Sequence, residues 1–140
     1  RFLAPPERER PPDAAAATAA ARGEELFRAA GCAGCHVPEL TGDGVAGLGA
    51  GPVALFSDLL VHDLGRPTGD VCGPDVAPGE YRTPPLWGLR HRGVYLHDGA
   101  ATDVAQAIAL HGGEASTARD AFLGMEEDDR RTLLRFLDSL

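Results

Sequence analysis

Two cysteines and a histidine stand together in Cys32-Ala33-Gly34-Cys35-His36. Cys-x-x-Cys-His is the attachment pattern of c-type haem. Two thiols one helical turn apart add to the two porphyrin vinyl groups, and the adjacent imidazole then falls under the iron as its proximal ligand. The competing uses of a cysteine pair need partners that the sequence does not offer. A thioredoxin-type dithiol needs a preceding strand in a βαβ unit, and a zinc ribbon needs a second Cys or His pair at suitable spacing. Cys32 and Cys35 are therefore expected to anchor one covalent haem c, with His36 on its iron. Attachment of this kind follows export, so a periplasmic or otherwise extracytoplasmic location is expected. The third cysteine, Cys72, has no partner in this sequence and reads as a buried free thiol by default, with pairing to another segment or chain as the alternative.

The group opposite His36 decides what the iron can do, since methionine raises the potential relative to histidine and an open position admits a small ligand. Met125 is the single methionine, directly before an acidic run, where an apolar residue commonly packs at a helix start. His91 lies between two arginines, and His97 precedes a helix as a group that either stabilises the turn or supports a ligand from behind. His62 has Asp63 beside it and is either a hydrogen-bonded structural residue or a ligand. His111 shares a helical face with Val104 and Ile108, so it ranks first as sixth ligand, ahead of His62 and Met125.

Residues 81–97 hold Arg82, Arg90 and Arg92 and no acid, so this stretch carries +3 and the remainder −11 of a net −8. Such a strap asks for an anionic neighbour. Haem propionates fit, because guanidinium binds carboxylate bidentately and the Trp87 indole N–H donates to the same group. Arg82, Trp87 and Arg90 are the expected contacts, and Pro84-Pro85 would hold the segment extended.

The elements that must position these residues follow from propensity and punctuation. Residues 1–12 combine proline with alternating charge and read as a linker or interdomain junction, leaving residues 13–140 as one cytochrome domain. Alanine-rich residues 13–30 form a first helix ending at Gly31. Thr102 is the expected N-cap of a helix over 103–111 stopped by Gly112-Gly113, and Ser116 that of a short helix ending near Gly124. A final helix starts in the acids at 126–129 and buries Leu133, Phe136, Leu137 and Leu140. Between 37 and 101 turn signals dominate, with local structure expected only over 53–64. The predicted class is all-α, with long loops and crossing terminal helices. As in c-type cytochromes, small Gly23 would allow close approach while Phe27 packs on Leu133, Phe136 and Leu137.

Composition removes other functions. The acidic balance argues against nucleic acid, which needs clustered cations. No apolar run is long enough to span a membrane. The chain contains no lysine, so docking through a lysine ring is excluded and an acidic or apolar docking face is expected.

Taken together, Gly31-Cys-Ala-Gly-Cys-His-Val-Pro38, Phe56-Ser-Asp-Leu-Leu-Val-His-Asp-Leu-Gly65, Tyr81-Arg-Thr-Pro-Pro-Leu-Trp-Gly-Leu-Arg90, Tyr95-Leu-His-Asp-Gly-Ala-Ala101 and Ile108-Ala-Leu-His-Gly-Gly-Glu-Ala115 carry a family likeness. With the terminal Leu133-Leu-Arg-Phe-Leu-Asp-Ser-Leu140, they resemble the C-terminal haem domain of the bacterial di-haem oxidoreductases, relatives of di-haem cytochrome c peroxidase and MauG. In the peroxidase relatives the distal ligand is a methionine a fixed distance beyond His-Asp-Gly. The same count from His97 reaches His111, so the resemblance implies bis-histidine ligation by His36 and His111. Two departures stand out. Ala100 replaces the arginine expected after His-Asp-Gly. This chain also has one attachment motif where the family enzymes carry two haems, with the peroxidatic iron on the other domain, so peroxidase activity does not transfer.

The functional expectation is an electron-transfer domain with one haem c, working with a redox partner protein or a second haem domain. Its first alternative is the electron-relay half of a di-haem enzyme, and a third reading is a haem-based sensor of a small ligand.

Overall fold

In the computed structural model, residues 10–44, 50–65 and 76–140 are described. The expectation for Cys72 lies outside them, as does most of the 1–12 junction. Helix α1 covers Ala14–Ala29 and is capped by Asp13, whose carboxylate accepts from the Ala16 N–H at 2.8 Å. It ends at Gly31, whose φ of 88° is a left-handed conformation that a side chain resists. The last helix, α4 (Glu127–Asp138), opens on three acids and closes near Arg135, matching the helix dipole at both ends.

These two helices cross at Gly23. A Cβ there would lie 2.7 Å from the Thr132 carbonyl oxygen and would collide with the Phe136 Cβ. Hydrogen in place of a side chain thus lets Phe27, Phe56 and Phe136 close into a triad with ring centroids 5.6–6.0 Å apart. Leu26, Leu133, Leu137 and Leu140 complete the centre of the core, so the expected crossing and its partners are present.

The all-α class is corrected to a mixed one. Among the described residues, four short strands form two antiparallel pairs: β1 (Leu40–Asp43) with β2 (Ala50–Val53), and β3 (Val61–Asp63) with β4 (Glu80–Arg82). The cause is the glycine- and proline-rich middle of the chain, which cannot continue a helix yet must satisfy its backbone polar groups. Extended segments meet and do so across short ladders, with His62 opposite Tyr81.

Helix α2 (Val104–Ala109) is capped by Asp103 rather than Thr102. Thr102 instead directs its N–H and hydroxyl to the Gln106 side chain. The helix also stops short, with Leu110 as its C-cap, so His111 lies just beyond it. Helix α3 (Ser116–Leu123) includes Ser116 as its first residue; the hydroxyl donates back to the Gly113 carbonyl and caps nothing. Among the described residues, no helix is long and apolar enough to cross a membrane.

Candidate functional site

The left-handed Gly31 turns the chain out of α1 into a tight turn over Cys32–Gly34, closed by the His36 N–H on the Cys32 carbonyl at 2.9 Å. Cys32, Cys35 and His36 thereby border one cavity of about 580 Å³, within the size range of a bound organic cofactor. Burial pushes both thiols up, and for Cys35 the neighbouring Asp58 and Glu114 add to the effect. Raised thiols are the reverse of an activated redox dithiol, which depends on a lowered one.

His36 is held by residues 56–58, which run alongside 35–38. The Asp58 N–H donates to the Cys35 carbonyl and the Ser57 N–H to the Val37 carbonyl, each at 2.9 Å. Buried Ser57 ties this segment onward, donating to the Thr83 carbonyl at 2.7 Å and accepting from the Leu59 N–H. Phe56 adopts a φ of 52°, and its carbonyl lies 2.9 Å from His36 Nδ1. A carbonyl only accepts, so Nδ1 carries the proton and the neutral ring keeps its lone pair on Nε2. Burial lowers the His36 pKa to about 4, which maintains that neutral form.

His111 repeats the arrangement. Its Nδ1 lies 2.7 Å from the Ala107 carbonyl, so Nε2 is the ring nitrogen not engaged by that carbonyl, and the residue borders the same cavity. The truncation of α2 therefore keeps His111 beside the cavity although it removes the residue from the helix.

The other two candidates differ. His62 borders the cavity, but Nε2 is 2.7 Å from Asp58 Oδ2 and Nδ1 is 3.0 Å from Glu114 Oε2. The hydrogen bonds to Glu114 and Asp58 raise its pKa, favouring a cation with both nitrogens donating. Such a ring has no lone pair for a metal. Asp58 and His62 also approach Cys35, but in this three-group cluster they are already bonded to each other. Met125 packs against the hydrophobic core and is not among the cavity residues.

The arginine strap reaches the cavity by different residues from those expected. Arg82 lines it, together with Pro84 and Pro85, but Trp87 and Arg90 do not. Buried Leu86 and Leu89 anchor the strap in the core, and the Gly88 N–H donates to the Leu140 carbonyl. Trp87 stays half-buried away from the cavity, and Arg90 Nε turns to His91. Arg92 takes the cavity position, with Tyr81 stacked on His97 at 3.9 Å on the same lining. Sequence reasoning thus missed Arg92, although the charge count included it. It also missed the Phe56 and Ala107 carbonyls, which no side-chain pattern could reveal.

The donor set fits a haem: two thiols three residues apart, and two imidazoles whose Nδ1 atoms are engaged by main-chain carbonyls so that Nε2 is the nitrogen available to a metal, all bordering one mainly apolar cavity.

Comparison with known proteins agrees with this chemistry. Residues 2–140 match the profile of the family described as "Di-haem oxidoreductase, putative peroxidase". The chain is 36% identical over 136 residues to the methylamine utilization protein MauG of Methylorubrum extorquens, covering 86% of this chain and 34% of that protein. It is also similar to a solved structure of Kuenenia stuttgartiensis hydrazine synthase, with a TM-score of 0.54 and 25% identity over 87% of this chain and 46% of that one. The chain therefore spans about a third of the curated relative and less than half of the structural one.

Proposed function

The chain belongs to the di-haem oxidoreductase family and has a haem-based redox role, and from that premise we propose that it is a c-type cytochrome domain carrying one covalent haem c. Cys32 and Cys35 would form the thioether anchors, and His36 and His111 would supply the imidazoles that hold the iron. The observation that carries this reading is the shared orientation of the two imidazoles. Each has Nδ1 bound to a main-chain carbonyl, which leaves Nε2 as the nitrogen to face a metal, beside the cavity bordered by the cysteines. When bound, a haem supplies a one-electron iron couple. The Phe56 carbonyl orients His36, the Ala107 carbonyl orients His111, and the apolar lining excludes water. Arg82 and Arg92 offer guanidinium groups to the propionates. Attachment of this type would follow export, so an extracytoplasmic location goes with this reading.

A second reading, the electron-relay half of a di-haem enzyme, is favoured by two observations. The family is di-haem, and this chain has one attachment motif while matching about a third of its curated relative. The second haem then belongs to another domain or chain, and peroxide turnover is not expected of this chain alone.

Haem that survives acid-acetone extraction from the purified protein, and is lost in the C32A/C35A double variant, supports the covalent reading; fully extractable haem refutes it. H111A should convert a low-spin spectrum to high-spin or ligand-exchanged, and an unchanged spectrum removes His111 from the iron.

A further inference from the structure

Glu114 lies three residues beyond His111, in the turn Gly113–Ala115 that leads into α3. Its carboxylate is fully used. Oε1 accepts from the Asp63 N–H at 2.9 Å, and Oε2 lies 3.0 Å from His62 Nδ1. Both partners belong to β3, more than fifty residues away in sequence.

The backbone around it shows why this contact is close. A Cβ on Gly112 would lie 2.7 Å from the Leu64 carbonyl oxygen, and one on Gly65 would lie 2.7 Å from the Gly113 nitrogen. The chain just after His111 therefore rests on the chain just after His62 with no side chain between them. His62 continues the linkage through Asp58 Oδ2 at 2.7 Å, and the Asp58 N–H ends it on the Cys35 carbonyl. One hydrogen-bonded path thus runs from the attachment turn to the turn that carries His111. On the other side, Arg119 Nη1 braces the His111 carbonyl at 3.2 Å, and the ring itself is fixed to Ala107.

We propose that Glu114 is a positioning residue for His111, clamping the Gly112-Gly113 turn to β3 so that the imidazole is held at a fixed separation from the Cys32–His36 turn. This rests on the reading of His111 as the distal iron ligand. An incoming small ligand can bind only when His111 moves away, and Glu114 restrains that movement. The clamp makes a charge-assisted hydrogen bond and a backbone hydrogen bond, so its removal is expected to change an opening equilibrium by about tenfold or more.

The test measures cyanide binding to the oxidised, haem-loaded protein by stopped flow, beside its low-spin fraction, for wild type, E114A, E114Q, H62Q and H111A. E114A should bind cyanide about tenfold faster than wild type with a larger high-spin fraction. E114Q should fall between them, since its amide oxygen still accepts from Asp63 and its NH₂ can donate to a neutral His62. H62Q, which leaves Glu114 only Asp63, should also be intermediate and serves if E114A does not fold. If H111A becomes high-spin while E114A and H62Q keep wild-type kinetics and spectra, the clamp is wrong and the ligation reading stands. Lower melting temperatures with unchanged cyanide kinetics overturn it equally. An unchanged H111A spectrum sinks the ligation reading and the clamp with it.

Discussion

Replacing Gly23 with alanine probes the crossing on which the site is built. In an isolated helix the change stabilises by about 1 kcal/mol, because alanine loses less backbone entropy than glycine. Here the new methyl would lie 2.7 Å from the Thr132 carbonyl oxygen and against the Phe136 Cβ. Neither atom is the free end of a flexible side chain, so α1 and α4 must separate. Overpacking of this kind costs about 1–3 kcal/mol, and the near-complete burial of Phe27, Leu133 and Phe136 puts this site at the upper end. The net expectation is a loss of about 1–2 kcal/mol, or roughly 3–8 °C in melting temperature for a chain of this size. Thermal unfolding of the haem-loaded protein followed by circular dichroism measures it. The same displacement reaches the cofactor site, because Phe56 packs on Phe136 with its ring and faces His36 with its carbonyl. A G23A variant as stable as wild type, with an unchanged Soret spectrum, would refute the close-packed crossing.

Two other perturbations follow from the same geometry. Ser57→Ala strands the buried Thr83 carbonyl and Leu59 N–H, and should cost about 1–3 kcal/mol in urea unfolding while loosening the segment that holds His36. For pH, the His62 pKa is raised by Glu114 and Asp58, so its contribution is complete below about 6.5 and is lost as pH rises through the higher folded value. For Glu114, the Asp63 N–H and His62 lower the pKa, and for Asp58 hydrogen bonds led by His62 outweigh burial, so both contributions are lost only as pH falls through depressed values. Melting temperature measured from about pH 5 to 9 should therefore decline on its alkaline side, and His62→Gln should flatten that decline. An identical slope in the variant would show that His62 does not titrate as described.

The terminal helices were readable because their signals are local and redundant. Alanine density in α1, the acids that open α4 and its leucine and phenylalanine spacing all point one way. The strands were not, for opposite reasons. β1 is Leu-Thr-Gly-Asp and β2 is Ala-Gly-Pro-Val, too short and too rich in Gly and Pro to show a period of two. At the site, the placing of Cys32, Cys35, His36 and His111 on one cavity was legible, that of His111 through a helical period that extended beyond the actual end of α2. Choosing Arg90 over Arg92 was beyond sequence, because the turn over Leu89–His91 decides which guanidinium returns to the cavity. Glu114 was equally hidden, since its partners lie in β3 and become neighbours only through the Gly65 and Gly113 contact.

The carbonyls that hold the two imidazoles have a consequence for how the sequence can drift. A carboxylate in that place would be a side chain that one substitution could delete, and it would make the ring more electron-rich. The Phe56 and Ala107 carbonyls are main chain, present whatever residue occupies the position. Position 107 is helical and buried, so small residues that preserve α2 also preserve the hold on His111. Position 56 is narrower, because its φ of 52° favours Gly, Asn or Asp while the core demands an aromatic ring. The two imidazole orientations are thus unequally protected: substitution reaches the His36 hold through the backbone shape at a single phenylalanine, and the His111 hold only by unmaking a helical turn.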